Sequence, residues 1–387
     1  MKLFFLSNYY THHQKPTCEE WHKLTENSFT FVGTESFSDE RKQMGWGEDA
    51  ADFVREYTES LQPAIDAADA VILGSAPRSL VKTRLEANKT VFQYSERIFK
   101  KGYNHLKWLP RVYRFYKNYG RYKSLYLMAA SGFTAADFAK HFTFIGKSYN
   151  WGYFPKTKRY DIQTLLEKKD THRILWCGRM IDWKHPEMAI SLAERLQKEK
   201  IPFQLDMIGN GEMDAVLQNA VEEKGLRDCV RFLGSMTPEK VREEMEKAGV
   251  YIFTSDFNEG WGAVLNEAMN SGCAVVASHA IGAVPFLLKH GENGLVYQNQ
   301  SDDDLYGKVK ALLTQPEKQK DLGESAYRAI TELWNAELAA KRFLAMTEKI
   351  EKNGKCDLFD DGPCSRAPII KNNWFKEADY DISWLKD

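Results

Sequence analysis

The sequence predicts an α/β protein of two doubly wound halves, each a parallel sheet with helices on both faces. Three observations predict it. From residue 173 onward, short apolar runs alternate with amphipathic stretches of helical period. Those runs are continuous in Val, Ile, Leu and Phe, as strands buried on both faces require. Residues 1–150 repeat the rhythm less regularly, and 387 residues suits two domains at about 150 residues each.

The first half offers strands at 2–6, 28–32, 70–73, 90–94, 124–129 and 142–145, with helices at 49–61 and 134–140. The apolar residues of 1–6 are too few for a signal-peptide core and read as the first strand. A boundary falls near Tyr153-Phe154-Pro155-Lys156-Thr157-Lys158, where a Pro and charges follow an aromatic run. In the second half, 174–177 is a strand and 186–198 a helix with Ala189, Leu192, Ala193 and Leu196 on one face. A strand at 203–208 closes on Gly209-Asn210-Gly211, and another at 230–233 ends at Gly234. Thr237-Pro238-Glu239 starts a helix: a capping hydroxyl, a Pro at the first helical position, then an acid near the positive end. Strands at 250–254, 273–277 and 295–297 follow, with a helix at 263–270 stopped by Ser271-Gly272. The chain closes on a helix at 336–351 and a polar tail. The expected domains are therefore 1–152, 153–350 and a tail, 351–387, placed back on the first domain.

Composition narrows the class. Hydrophobic residues make up 43% and aromatics 13%, which excludes a mostly disordered chain. No apolar run reaches the length of a membrane-spanning helix. The six cysteines form no C-x-x-C pair and read as buried free thiols. The nine histidines show no metal spacing.

Ligands of open parallel sheets bind beyond the carboxyl ends of the strands. The richest such end runs from Asp256 through Glu259-Gly260-Trp261-Gly262-Ala263-Val264 to Glu267. Gly260 and Gly262 admit close backbone approach, and a helix starting near Ala263 turns its free N–H groups toward a phosphate. Glu259 and Glu267 are either ordinary loop and helix acids or acceptors of hydrogen bonds from sugar hydroxyls. After the strand at 174–177, Arg179 and Lys184 precede a helix and suit a diphosphate. Gly209-Asn210-Gly211-Glu212 lacks the third glycine of a dinucleotide fingerprint, because Asp214 stands there, which argues against a dehydrogenase.

Together these residues resemble the retaining, nucleotide-sugar-dependent glycosyltransferases of the family 4 (group 1) type. The matches are Glu259 and Glu267 as an E-x7-E signature, Gly178-Arg179 with Lys184, and Gly272-Cys273-Ala274-Val275-Val276-Ala277-Ser278 leading to Gly282-Ala283-Val284-Pro285 and Gly291-Glu292-Asn293-Gly294-Leu295. They cover 173–350 by motif and 1–150 only in outline. The resemblance implies the GT-B fold, two Rossmann-like domains facing across a cleft, with the acceptor on 1–152 and the nucleotide sugar on 153–350. It implies that Arg179 and Lys184 neutralise the departing diphosphate, that Glu259 orients the donor sugar, and that Glu267 binds the ribose. Catalysis is thus expected from Glu259, Arg179 and Lys184. The donor set adds Gly209, Gly234, Ser235, Met236, Gly260, Trp261, Gly262, Ala263 and Val264. The resemblance implies no metal or other cofactor. Asp379-Tyr380-Asp381 matches a metal-binding D-x-D only in letters, and Asp302-Asp303-Asp304 reads as a helix start.

The first half departs from the family pattern. Ser7-Asn8-Tyr9-Tyr10-Thr11-His12-His13 stands where many relatives have a Gly-rich loop, and Ser95-Glu96-Arg97 where many have a His. His12, His13, Glu96 and Arg97 are the candidate acceptor contacts, with a structural loop as the alternative for the histidines. Residues 97–123 hold nine Lys/Arg, eight aromatics and no Asp or Glu, against a net charge of -1 for the whole chain. Basic plus aromatic is the signature of contact with an anionic membrane surface, or of a solvated face over an aromatic stripe. No nucleic-acid motif is present. The expected activity is transfer from a UDP- or GDP-sugar to a saccharide, lipid-linked in the leading reading, in surface polysaccharide or glycolipid biosynthesis. The expected place is the cytoplasm, peripheral on the inner face of the membrane. The alternatives are a soluble acceptor and a catalytically silent, sugar-nucleotide-binding partner subunit.

Overall fold

The computed structural model describes residues 1–36, 51–103, 108–380 and 382–385. Two parallel sheets organise the chain. The first has seven strands: β1 (Leu3–Ser7), β2 (Phe29–Gly33), β3 (Val54–Glu56), β4 (Ala70–Leu73), β5 (Val91–Ser95), β6 (Leu125–Ala129) and β7 (Ser148–Asn150), in the order β3-β2-β1-β4-β5-β6-β7. The second has six: β8 (Asp170–Cys177), β9 (Gln204–Ile208), β10 (Val230–Gly234), β11 (Ala248–Phe253), β12 (Ala274–Ser278) and β13 (Leu295–Tyr297), in the order β10-β9-β8-β11-β12-β13. Every paired register is parallel. β1, β4, β6, β11 and β12 are buried at every residue, which is why their sequences read as apolar runs.

Helix starts follow the sequence signals, except that Thr237, at the N-cap before Pro238, makes no side-chain capping bond. Proline occupies the first turn of Lys15–Leu24, Pro186–Lys198, Pro238–Lys247 and Pro316–Arg328. Ser301 caps Asp302–Thr314 by accepting from the Asp304 N–H at 3.3 Å, so the aspartate triplet is a first helical turn.

Two expected elements differ. The helix predicted over 49–61 is not there: residues 49 and 50 lie outside the described residues, Val54–Glu56 is strand β3, and Glu59–Leu61 is a single 3-10 turn leading into the helix Gln62–Ala67. The strand predicted at 142–145 is a turn, with Phe142 and Phe144 at φ 56° and 57° and Phe142 and Ile145 exposed. The edge strand is Ser148–Asn150, three buried residues too short and too polar to show a period.

The chain divides into two compact units that are discontinuous in sequence: Met1–Lys156 with Trp334–Lys371, and Thr157–Leu333 with Asn372–Asp387. The contiguous domains read from the sequence thus each exchange a segment. The helix Ala336–Asn353 belongs to the first unit because Phe343 fills its core, with ring centroids 5.0 Å from Trp21, 4.9 Å from Phe92 and 5.8 Å from Trp151. Residues 364–367 then run along β7, where the Cys364 N–H donates to the Asn150 carbonyl at 2.8 Å and the Asn150 amide to Ser365 Oγ at 2.9 Å. The remainder, from Asn372, packs on the second unit.

Candidate active site

In the second sheet the strand order reverses between β8 and β11, so the crevice beyond their carboxyl ends is where this topology binds ligands. Three loops are laced together there. The Gly178 N–H donates to the Ile208 carbonyl at 3.0 Å, the Met180 N–H to Asn210 at 2.9 Å, and the Gly209 N–H to Gly234 at 2.9 Å. Gly209, at φ +125°, packs so closely on the Gly178 carbonyl that a methyl group there would overlap it. Its missing side chain is therefore needed by the protein itself. Gly234 and Ser235 are exposed and Met236 is half-buried.

From β8, Arg179 is exposed and its guanidinium lies 6.0 Å from the Trp183 ring. A 3-10 turn at Asp182–Lys184 and the left-handed His185 (φ 50°) bring Lys184 inward. From β11, the loop at 254–262 meets it. Lys184 Nζ pairs with Glu259 Oε2, both side chains nearly buried at 13% and 11% exposure. Ser255 Oγ donates to the same carboxylate at 3.0 Å. Thr254 locks the backbone beneath, accepting from Trp176 Nε1 at 2.8 Å and donating to the Lys184 carbonyl at 2.6 Å.

Gly262, at φ +91°, turns the chain into the helix Ala263–Asn270, and a Cβ there would sit 2.7 Å from the Phe253 ring. The N–H groups of Ala263 and Val264 belong to the first, unpaired turn, at the positive end of that helix. Trp261 is buried, and its Nε1 donates to Asn266 Oδ1 at 2.9 Å, so its side chain fastens loop to helix. One turn on, Glu267 makes no side-chain hydrogen bond to any described residue. Burial pushes its carboxyl above the ordinary range, with Arg242 opposing and Glu239 adding to the shift. The structure thus pairs Lys184 with Glu259 beyond the carboxyl end of β11, with Glu267 one turn into the following helix and Arg179 exposed after β8.

The sequence reading missed three contributors. Thr254 and Ser255 stand at a strand's carboxyl end, and two small hydroxyls there were a readable signal. His279 had none. It follows β12 and faces Phe257 of the loop, with ring centroids 5.6 Å apart. Its Nδ1 accepts from the Asn299 N–H at 2.9 Å, and its Nε2 faces the Asn372 carbonyl at 3.1 Å. The tail clamps it further: Trp374 Nε1 donates to the His279 carbonyl at 3.0 Å. Just beyond, the N–H groups of Gly282 and Ala283 donate to the carbonyls of Glu259 and Trp261. The unplaced tail therefore braces the Glu259 loop. Truncation after Lys371 is expected to lower kcat about tenfold or more through misplacement of that loop, read by steady-state kinetics beside a melting curve.

In the first unit the candidate acceptor residues separate. His12 and His13 lie after β1 with ring centroids 3.9 Å apart. Burial, with His12 adding, lowers the His13 pKa to about 3, so its imidazole is neutral at physiological pH. Glu96 accepts from Tyr153 Oη at 2.7 Å and from Lys100 at 2.8 Å. Arg97 is not a surface contact: it is buried, its Nε lies 3.5 Å from Asp137 Oδ2 and its guanidinium sits over Phe133. It anchors the helix Thr134–Ala139.

Residues 158–329 match the family model of the glycosyl transferases group 1. The amylovoran biosynthesis glycosyltransferase AmsK of Erwinia amylovora is 30% identical over 127 residues, 32% of this chain and 31% of that protein. The chain covers 31%, 38% and 40% of the length of the first curated relatives it matches. Among solved structures, Anabaena Alr3699/HepE in complex with UDP has a TM-score of 0.67 at 16% identity, over 91% of this chain and 100% of that one. WaaG, a glycosyltransferase involved in lipopolysaccharide biosynthesis, has a TM-score of 0.57 at 17% identity, over 88% and 98%. At those identities the likeness is one of fold, and the fold is GT-B, two Rossmann-like units of seven and six parallel strands. The segment matched to the group 1 glycosyl transferases, 158–329, holds Arg179, Lys184, Glu259 and Glu267.

Proposed function

We propose that the chain transfers a sugar from a nucleoside-diphosphate sugar, UDP- or GDP-linked, to a saccharide acceptor with retention of anomeric configuration. The carrying observation is the Lys184–Glu259 pair beside the Ala263–Asn270 helix start, at the switch point of the second sheet. The bond from the anomeric carbon to the diphosphate breaks, and negative charge gathers on the departing group. Arg179, Lys184 and the N–H groups of Ala263 and Val264 receive that charge. Lys184 leaves its carboxylate partner for the diphosphate, which frees Glu259 to accept hydrogen bonds from the sugar hydroxyls. Glu267 accepts from the ribose, and Gly234, Ser235 and Met236 border the base. No residue is assigned as base, in keeping with front-face transfer, and none of these steps calls on a metal.

The acceptor belongs to the first unit, near His12, His13 and Glu96, and we take it to be lipid-linked in surface polysaccharide or glycolipid synthesis. Two observations support a membrane-facing surface there. Leu109, Tyr113 and Tyr116 share one exposed helical face at 72%, 70% and 58% exposure, and Phe142 and Ile145 are exposed nearby in sequence to Lys140 and Lys147. Part of the basic stretch, 104–107, lies outside the described residues.

The test is a thermal-shift screen against UDP-, GDP-, ADP-, CMP- and dTDP-sugars, with and without EDTA. A donor at about 100 times its Kd should stabilise by about 2.7 kcal/mol. One base class shifting the melt in EDTA supports the reading, and no shift with any donor refutes it. The same screen applied to Glu267→Gln separates function from stability. A carboxyl whose folded pKa is raised costs stability once pH exceeds its unfolded value, and in full above its folded value. Glu267→Gln should therefore melt higher than wild type at pH 7 and converge with it as pH falls to 4, yet show a smaller donor shift.

A further inference from the structure

His185 follows Lys184 and stands in the left-handed region, at φ 50° and ψ 51°, as the residue before the helix Pro186–Lys198. A residue with a Cβ is strained there and a glycine is not. Its side chain makes no capping hydrogen bond to that helix. The turn itself gains nothing from an imidazole, so the reason for one lies in what the ring touches.

The ring is nearly buried between two loops. Its Nδ1 lies 2.8 Å from Glu187 Oε1, in the first turn of the same helix. Its Nε2 lies 3.6 Å from Asp256 Oδ2, in the loop that follows β11. Gln300 Nε2, in the turn after β13, is 3.2 Å from the same nitrogen. Asp256 is the hub of its loop. Its N–H donates to the Trp183 carbonyl at 3.1 Å, and its own carbonyl accepts from the Glu259 N–H at 3.1 Å. Its Oδ1 accepts from the Asn258 N–H at 2.7 Å and from the Asn258 side-chain amide at 2.9 Å. A pull on Asp256 is thus a pull on Glu259. One imidazole links the two loops whose side chains meet as Lys184 and Glu259.

Three carboxylates act on the ring. Hydrogen bonding to Glu187 raises the imidazole pKa against the opposing effect of burial, and the charges of Asp256 and Asp182 raise it further. Lys184, its neighbour in sequence, is engaged with Glu259. Gln300 is neutral, and its amide donates to Nε2 only when that nitrogen carries no proton. The charged ring donates toward Glu187 and Asp256 at once. The neutral ring with its proton on Nδ1 keeps Glu187 and offers Asp256 nothing.

We propose that His185 is a positioning residue for the donor, bridging Glu187 and Asp256 in its charged form and so holding the Glu259 loop against the Lys184 loop. It rests on the donor reading of those loops. The bridge is present while the ring is protonated and is lost as pH rises through its raised pKa, so the donor is held less tightly there.

The test measures donor affinity by calorimetry on the full chain, at a series of pH values through the histidine range. The probes are the UDP-, GDP-, ADP-, CMP- and dTDP-sugars of the screen above. His185→Asn suits the left-handed backbone and removes the bridge. His185→Gly also relieves the backbone, so it keeps the test open where the first variant folds poorly. Both should bind the donor about tenfold or more weakly than wild type at the acidic end and converge with it as pH rises. Asp256→Asn should weaken the donor too, and adding His185→Asn to it should cost little more. A ring that acted only by its charge on the diphosphate would give the opposite, because removing a nearby carboxylate would tighten binding. Tighter binding by Asp256→Asn therefore overturns the proposal. So does a loss in the two His185 variants that is equal at every pH, which marks a structural role, and so does affinity unchanged in both. Wild type that binds no donor overturns the donor reading, and this inference with it.

Discussion

Lys184→Ala and Glu259→Ala are each expected to lower kcat by about 10²–10³-fold, the usual cost of removing one preorganised group from developing charge. The two losses should not add. The side chains are bonded to one another, and groups acting as a unit show strong coupling in a double-mutant cycle. Arg179→Ala should behave differently. Its side chain is exposed and makes no ion pair among the described residues, so its removal disturbs the protein little and its cost falls on the diphosphate alone. Lys184→Ala leaves a nearly buried carboxylate with Ser255 as its neighbour, which destabilises the loop as well. Steady-state kinetics on all three variants and the double, each beside a melting curve, separate these effects. Unchanged kcat with only KM raised would mean that the pair binds substrate without stabilising its departure.

Gly209→Ala should be the most damaging small change in the second unit. The position combines φ +125° with a carbonyl of Gly178 already at closest approach, so one methyl meets both backbone strain and overlap. A cost above about 4 kcal/mol is expected, a fall in Tm on the order of 10 °C. Gly307→Ala is the matched control. It lies exposed inside the helix Asp302–Thr314 with nothing near its missing Cβ, and should raise stability by about 0.5–1 kcal/mol. Thermal melts of the two variants decide the point: if Gly209→Ala melts like wild type, the three strand-end loops are looser than the geometry implies.

The second sheet was legible strand by strand because the buried parts of its strands are mostly apolar, though Asp206 interrupts β9 and the polar start of β8, Asp170–Arg173, went unread. The polar segments between them had to be loops or helix faces. The site was legible for the same reason. Arg179, Lys184 and Glu259 are polar residues in the loops that follow buried strands, where polarity has no packing use, and Glu267 lies one turn into the helix after the same loop. The failures have one cause as well. Val54–Glu56 and Ser148–Asn150 are three-residue edge strands whose identity is set by their neighbours in the sheet rather than by their own pattern. Arg97 looked like a surface cation because the sequence does not display its partner, Asp137, forty residues away in the fold's interior. His279 was silent because its importance comes from the tail that grips it, a contact spanning 93 residues.

The discontinuity of the two units has a consequence for synthesis. A nascent chain that has reached Leu333 has completed the body of the second unit, lacking only the segment from Asn372. The first unit, made earlier, still lacks Ala336–Asn353, and with it the Phe343 ring that covers Trp21, Phe92 and Trp151. Its aromatic wall stays wet until that helix has emerged. The half made first therefore waits, with apolar surface uncovered, through the synthesis of the body of the second.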